Sequence, residues 1–164
     1  ALGALSAQRK PFQDSPTPSG NSSAAVLLMR LHAFTNESKY REYADKTLRV
    51  FAGLAEQVGI FAGTYGIAAL WNFRPHTQVV VVGNDQTAQH LYASAVAPFA
   101  LNKAVIRVRH ANDHLPPALA ETVRELPGVK DGKSLAVVCS NFACLPPIDH
   151  PDQLAKTLHE VLTR

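Results

Sequence analysis

The sequence predicts a chain of mixed class: a helical segment over residues 1–75, followed by a small α/β domain over residues 76–164 with three to four mostly parallel strands. Three observations predict it. Apolar residues recur at three- and four-residue steps as far as Phe73, the helical period. The rhythm changes near Pro75. From there, short β-branched runs alternate with helical stripes, the pattern of βαβ units with right-handed crossovers. With 164 residues, 46% hydrophobic and 18% charged, the chain can bury one core or two small ones.

The first 20 residues read as loop, because Pro11, Pro16, Pro18 and Gly20 interrupt any apolar period and each proline restricts its predecessor. Ser19 or Asn21 can cap the helix that follows, with Leu27, Leu28, Leu31 and Phe34 on one side. Thr35–Asn36 breaks that helix. A second helix is expected from about Glu37 to Val58, with Tyr40, Tyr43, Ala44, Thr47, Leu48, Phe51, Leu54 and Ala55 along one stripe. Its other face carries Glu42 before Lys46 and Asp45 before Arg49, i,i+4 pairs worth a few tenths of a kcal/mol each. Burying one large apolar side chain contributes about 1.5–3 kcal/mol, so the stripe and not the ion pairs must fix the helix. After Gly59, Ile60–Phe73 is apolar almost all round and needs cover on several sides. Either the second half of the chain or further helices supply it.

Beyond Pro75, Gln78–Val82 is a continuous run that reads as a strand buried on both faces. Gly83 and Asn84 turn the chain, Asp85 can cap, and Ala88, Leu91, Tyr92, Ala95, Val96 and Phe99 form a stripe. Ala104–Val108 is the next strand, Pro117–Leu126 a short helix, and Leu135–Cys139 the third strand after an Asp131–Gly132 turn. Pro151 suits the first position of a last helix, lined by Leu154, Leu158, Val161 and Leu162.

Charge excludes more than it assigns. The net charge is +3, and residues 76–164 carry eight basic and eight acidic side chains. Without a basic run or basic–aromatic interleaving, no nucleic-acid partner is expected. No apolar run approaches the roughly 18 residues of a membrane span, so no membrane is expected either. The order of charges in ALGALSAQRKPF is wrong for a secretory leader. Two cysteines fall short of a disulfide framework and suit a reducing compartment, so the expectation is cytoplasmic.

Few segments carry chemistry. Gly83-Asn84-Asp85 after a strand invites a cofactor-phosphate reading, but GNDQTA has one glycine where the dinucleotide fingerprint needs three. An ordinary strand-to-helix turn is the plainer reading, and no cofactor is expected. Cys139 and Cys144 form a thiol pair with four residues between them, where dithiol redox sites have two, and no helix starts beside them. With His150 they make three potential zinc ligands where a closed site takes four, so no metal is expected. Buried, reduced thiols are the favoured expectation. The seven histidines are scattered, and His110 and His114 flank a loop, Ala111-Asn112-Asp113. His32 flanks the first helix's stripe. Ser19, Ser22 and Ser23 have no base in view, and no GxSxG occurs, so serine hydrolysis is not indicated.

Four segments, RKPFQDSPTPSGNSSAA, KYREYADKTL, VVVVG and GKSLAVVCSNFACLPP, stand in an order that resembles the thioredoxin-domain-containing family related to spermatogenesis-associated protein 20. The resemblance runs from about Arg9 to Leu162. It implies a carboxyl-terminal fragment of a multidomain protein: the last helices of an α/α toroid of six-hairpin type, then a small α/β tail. Its partners would be the upstream thioredoxin-like and helical domains, or copies of itself once separated from them. The toroid of that family resembles sugar-active enzymes, but none of their acid–base residues maps here. Asn21 and His32 are the positions that could face a toroid cavity. The expected function is therefore non-catalytic support of the toroid. The alternatives are an autonomous ligand- or cofactor-binding module acting through Gly83, Asn84 and Asp85, or a thiol-redox accessory domain at Cys139 and Cys144.

Overall fold

The computed structural model describes residues 10–110, 115, 117–141 and 143–163, with backbone alone at 118, 119, 121, 122 and 127. The chain divides into two compact units. One comprises Glu37–Phe73 and the chain up to His32, the other Ala33–Asn36 and Arg74–Arg164.

The first unit holds α1 (Gly20–Thr35) as far as His32, then α2 (Ser38–Val58) and α3 (Gly63–Phe73), with a 3-10 turn at Gly59–Ala62. Ser19 caps α1: its carbonyl accepts from Ser23 N, and its hydroxyl accepts from Ser22 N at 3.3 Å and donates to Ser22 Oγ at 2.7 Å. Asn36, at φ 59°, ends that helix. The inward face of α1 differs from the leucine stripe expected. Ser22, Ala25, Met29 and Ala33 are buried, while Leu27 is exposed. Ala25 and Met29 join the cluster of Ala44, Leu48 and Trp71, and Leu28 of the expected stripe is partly buried against it. On α2 the buried residues are Ala44, Leu48 and Phe51, with Tyr43 and Leu54 outward. The Asp45–Arg49 pair forms at 2.6 Å on the exposed face, whereas Lys46 lies 5.7 Å from the Tyr43 ring centroid. Trp71 packs with Ala25, Met29, Ala44, Leu48 and Ala68, and Arg30 stacks over its ring at 5.0 Å.

The lead-in is more than a loop. Phe12 is buried, stacked on Phe51 at 4.8 Å and edge-on to Tyr65 at 5.2 Å. Two residues on, Asp14 accepts from Thr64 N and from Ser19 N, each at 2.7 Å, so one carboxylate caps the start of α3 and orders the approach to α1. The Thr64 amide bond leads in holding the Asp14 carboxyl below its ordinary range, against an opposing desolvation effect.

Around Gly59 the apolar helix comes apart into the 3-10 turn and α3, and several of its large side chains are exposed among the described residues. Ile60 is 88% and Phe73 84% exposed, and Phe61, Ile67 and Leu70 are exposed too. The stretch Ser38–Phe73 holds an 18-residue window of mean hydropathy 1.2, long and apolar enough to cross a membrane by composition, with 11% of that window buried. That window qualifies by mean hydropathy alone, since Ser38–Phe73 contains no uninterrupted apolar run of such length and is broken by the 3-10 turn at Gly59–Ala62.

The second unit is built on a sheet of β1 (Thr77–Val82), β2 (Lys103–Val108), β3 (Leu135–Ser140) and β4 (Ala143–Cys144), ordered β2-β1-β3-β4. It is not mostly parallel. The β1–β2 pair is parallel, but β3 runs antiparallel to β1, with Val82 opposite Leu135, and β4 antiparallel to β3. The reason lies in the connections. Between β1 and β2, α4 (Gln86–Val96) has 11 residues, about 16 Å at 1.5 Å per residue, enough to carry the chain back along the strands. The corresponding link after β2 is split into α5 (Pro117–Glu125) and the four-residue α6 (Pro127–Lys130), which turns at Leu126 and re-enters the sheet at the end it left.

Every residue of β1 is buried, as its β-branched run requires. Val79 and Val81 pack on one face with Leu91 of α4 and with Leu154 and Leu158 of α7 (Pro151–Leu162). Val80 and Val82 pack on the other with Val123 of α5 and Val129 of α6. Pro151 occupies the first turn of α7.

Candidate functional site

The carboxyl end of β1 leads into a turn that only glycine can make. Gly83 has φ 126°, and a Cβ there would lie 2.0 Å from Ser134 Oγ and 2.8 Å from Ser134 Cβ. Its amide donates to Val108 O at 2.9 Å, extending the β1–β2 ladder by one bond. Asp85 then caps α4, its Oδ1 accepting from Ala88 N at 2.8 Å and from Ser134 Oγ at 2.6 Å. The Ser134 hydroxyl, then the Ala88 amide, hold the Asp85 carboxyl below its ordinary range. The β1–α4 turn is thus fastened to the start of β3 by a serine 49 residues away.

These groups border a cleft of about 370 Å³. The β1–α4 turn supplies Gly83, Asn84 and Asp85, and the chain leaving β2 supplies Arg109 and His110. Gly132, Lys133 and Ser134 close it from the segment entering β3, and Val82 and Val129 add apolar surface. The cleft has a topological cause. Parallel neighbours β1 and β2 end side by side, but α4 packs on one face of the sheet and α5–α6 on the other, so the two exits diverge. Open α/β sheets bind ligands where successive connections part in this way, outside the carboxyl ends of the strands.

Of the residues singled out from sequence, Gly83, Asn84, Asp85 and His110 meet here. His114 and the Ala111-Asn112-Asp113 loop lie outside the described residues. Asn21 and His32 are in the helical unit: Asn21 Nδ2 donates to Pro11 O at 2.7 Å, and His32 Nδ1 lies 3.1 Å from Glu37 O. His150 is exposed, 3.7 Å from the Asp149 carboxylate. Among the described residues no group of three or more histidine, cysteine or acidic side chains is placed to hold a metal. Sequence reasoning missed Arg109 and Lys133. They are 24 positions apart with no shared motif; the one available signal was that each adjoins a strand end.

The expectation of reduced thiols is corrected. Cys139 and Cys144 form a disulfide, with Cα atoms 3.9 Å apart. Pairing of β3 with β4 sets Cys139 directly opposite Cys144 across a tight turn, where Asn141 has φ 49°. Cys139 is packed with Val80, Val82 and Val137, so one sulfur lies in the core and the other at the sheet edge. The argument from two cysteines to a reducing compartment no longer applies.

Comparison with known proteins gives one relative of note. The chain is 29% identical over 166 aligned residues to Spermatogenesis-associated protein 20 of Homo sapiens, an alignment covering 96% of this chain and 20% of that protein. The likeness supports relatedness to that protein across nearly the whole chain. The chain spans about a fifth of the length of the relative it matches. No protein-family model matches the sequence. No solved structure matches it either.

Proposed function

We propose that this chain is a non-catalytic part of a longer, multidomain protein related to Spermatogenesis-associated protein 20, in which its helical unit completes a helical toroid and its α/β unit supports that toroid. The observation that carries the reading is the uncovered apolar face from Ile60 to Phe73. Exposed singly, such residues are ordinary, but a run of five large ones along the 3-10 turn and α3 is what an intramolecular interface looks like when its other side is missing. The alignment to only a fifth of a longer relative supports the same polypeptide as the source of that cover. Further helices fit better than a bilayer, because the window is interrupted by the 3-10 turn and α2 turns a row of charged residues outward.

The test is sedimentation of the isolated chain, with binding of an environment-sensitive dye and flotation with phosphatidylcholine vesicles. Self-association that ceases on replacing Ile60, Phe61 and Phe73 with serine is the expected result. A monodisperse monomer without dye binding, or flotation with the vesicles, would overturn the reading.

A further inference from the structure

The cleft at the ends of β1 and β2 has no part in the helical reading, and its chemistry is specific enough to name a ligand. Its size, about 370 Å³, falls in the low range of small-molecule pockets, which run from about 300 to 1,000 Å³. It lies where the chain exits to opposite faces of the sheet, the position at which open α/β sheets take ligands.

Charge decides what kind. Arg109 and Lys133 bring two permanent cations from opposite sides, and His110 adds an imidazole. Among the described residues the carboxylate lining the cleft is Asp85, engaged by Ser134 Oγ and Ala88 N, which stabilise it as the anion. That engagement also restricts the ligand. In dinucleotide sites the pyrophosphate sits on the helix amino terminus, but here the terminus of α4 is taken by the protein's own carboxylate. An incoming anion must therefore be held by side chains across the cleft, by a planar guanidinium fork on one wall and an ammonium on the other.

We propose that this cleft binds a small organic oxyanion, a phosphate monoester or a carboxylate, between Arg109 and Lys133, with the Asn84 carboxamide alongside and Val82 and Val129 against its carbon skeleton. Gly83 and Gly132, with φ of 126° and 72°, lie in the two loops that line it. The site belongs to the α/β unit and is independent of whether the helical unit docks.

The test is an amide chemical-shift titration of the full chain with inorganic phosphate, glycerol 3-phosphate and citrate in separate arms. Saturable shifts confined to Gly83, Asn84, Lys133 and Ser134 are expected, tighter for one organic anion than for phosphate itself, which tells monoester from carboxylate. Arg109→Gln and Lys133→Gln should each weaken that binding at least tenfold. Lys156→Gln, at an exposed position of α7, should leave it unchanged. Absence of saturation in all three arms would overturn the proposal, as would equal weakening by Lys156→Gln. Tighter binding of NAD than of the small anions would overturn it in favour of a helix-terminus site. Because the titrated amides are read in the unmodified chain, the localisation stands or falls without the variants.

Discussion

Replacing Gly83 with alanine perturbs the one position where the β1–α4 turn, the β2 exit and the β3 entry meet. The new Cβ falls 2.0 Å from Ser134 Oγ, 2.8 Å from its Cβ and 3.1 Å from its Cα. Rotating Ser134 relieves the first contact and breaks its bond to Asp85, a loss of about 1.5–3 kcal/mol for a hydrogen bond to a charged group. No rotation relieves the second, so the backbone of β3 must move. Holding a non-glycine residue at φ 126° adds about 1–3 kcal/mol. The variant should therefore lose about 2.5–6 kcal/mol. The single tryptophan, Trp71, is in the helical unit, so fluorescence does not report on this change. Native-state hydrogen exchange at Val79–Val82 does, and protection there should fall by a factor of at least about 60, since each 1.4 kcal/mol is tenfold. A second variant isolates the clash. Adding Ser134→Gly to Gly83→Ala removes the colliding side chain but not the backbone strain, and should recover part of the loss, a coupling of about 0.5–3 kcal/mol. Protection in Gly83→Ala within twofold of the parent, or no recovery in the double variant, would refute the account of this turn.

Phe12→Ala should destabilise the helical unit by about 3–5 kcal/mol, the usual cost of truncating a buried aromatic, read by Trp71 fluorescence during urea unfolding; a change under 1 kcal/mol would mean that the lead-in does not pack as described. Asp14→Ala removes the cap of α3 and should cost about 0.5–2 kcal/mol near neutral pH. The Asp14 carboxyl is depressed in the folded state, so its contribution is fully present above the unfolded value of about 3.9 and is lost as pH falls through the lower folded value. The gap between parent and variant should accordingly stay constant from about pH 5 to 7 and close in acid; a gap that widens below pH 4 has the wrong sign. For the cysteines, alkylation of the unfolded, unreduced chain should label neither Cys139 nor Cys144, and labelling after reduction should reach both; ready labelling without reductant would restore the free-thiol reading.

Local chemistry was legible where it acts locally. The β-branched run of β1, the Asp85 cap and Pro151 at the start of α7 follow from short-range rules, and the structure has each of them. What sequence did not disclose depends on partners distant along the chain. The face of α1 turned inward is set by Ala25 and Met29 packing with Ala44, Leu48 and Trp71, partners distant along the chain that the hydrophobicity of α1 alone does not reveal. Strand direction turned on whether the link between β2 and β3 returned along the sheet, and the break at Leu126–Pro127 ends α5 after nine residues. The disulfide required β4, a strand of two residues too short for any periodicity to show. In the cleft, Gly83, Asn84 and Asp85 were visible as a turn, but Arg109 and Lys133 join them only through the topology.

The central claim, that other helices of the same polypeptide cover the apolar face of this unit, is tested most directly by hydrogen–deuterium exchange over Gly59–Phe73. The measurement compares the isolated chain with the same residues in the longer protein proposed above. Amides from Ile60 to Phe73 should exchange slowly in the longer protein and at least tenfold faster in the isolated monomer, while Val79–Val82 should not change. Equal exchange at Ile60–Phe73 in the two would contradict the claim.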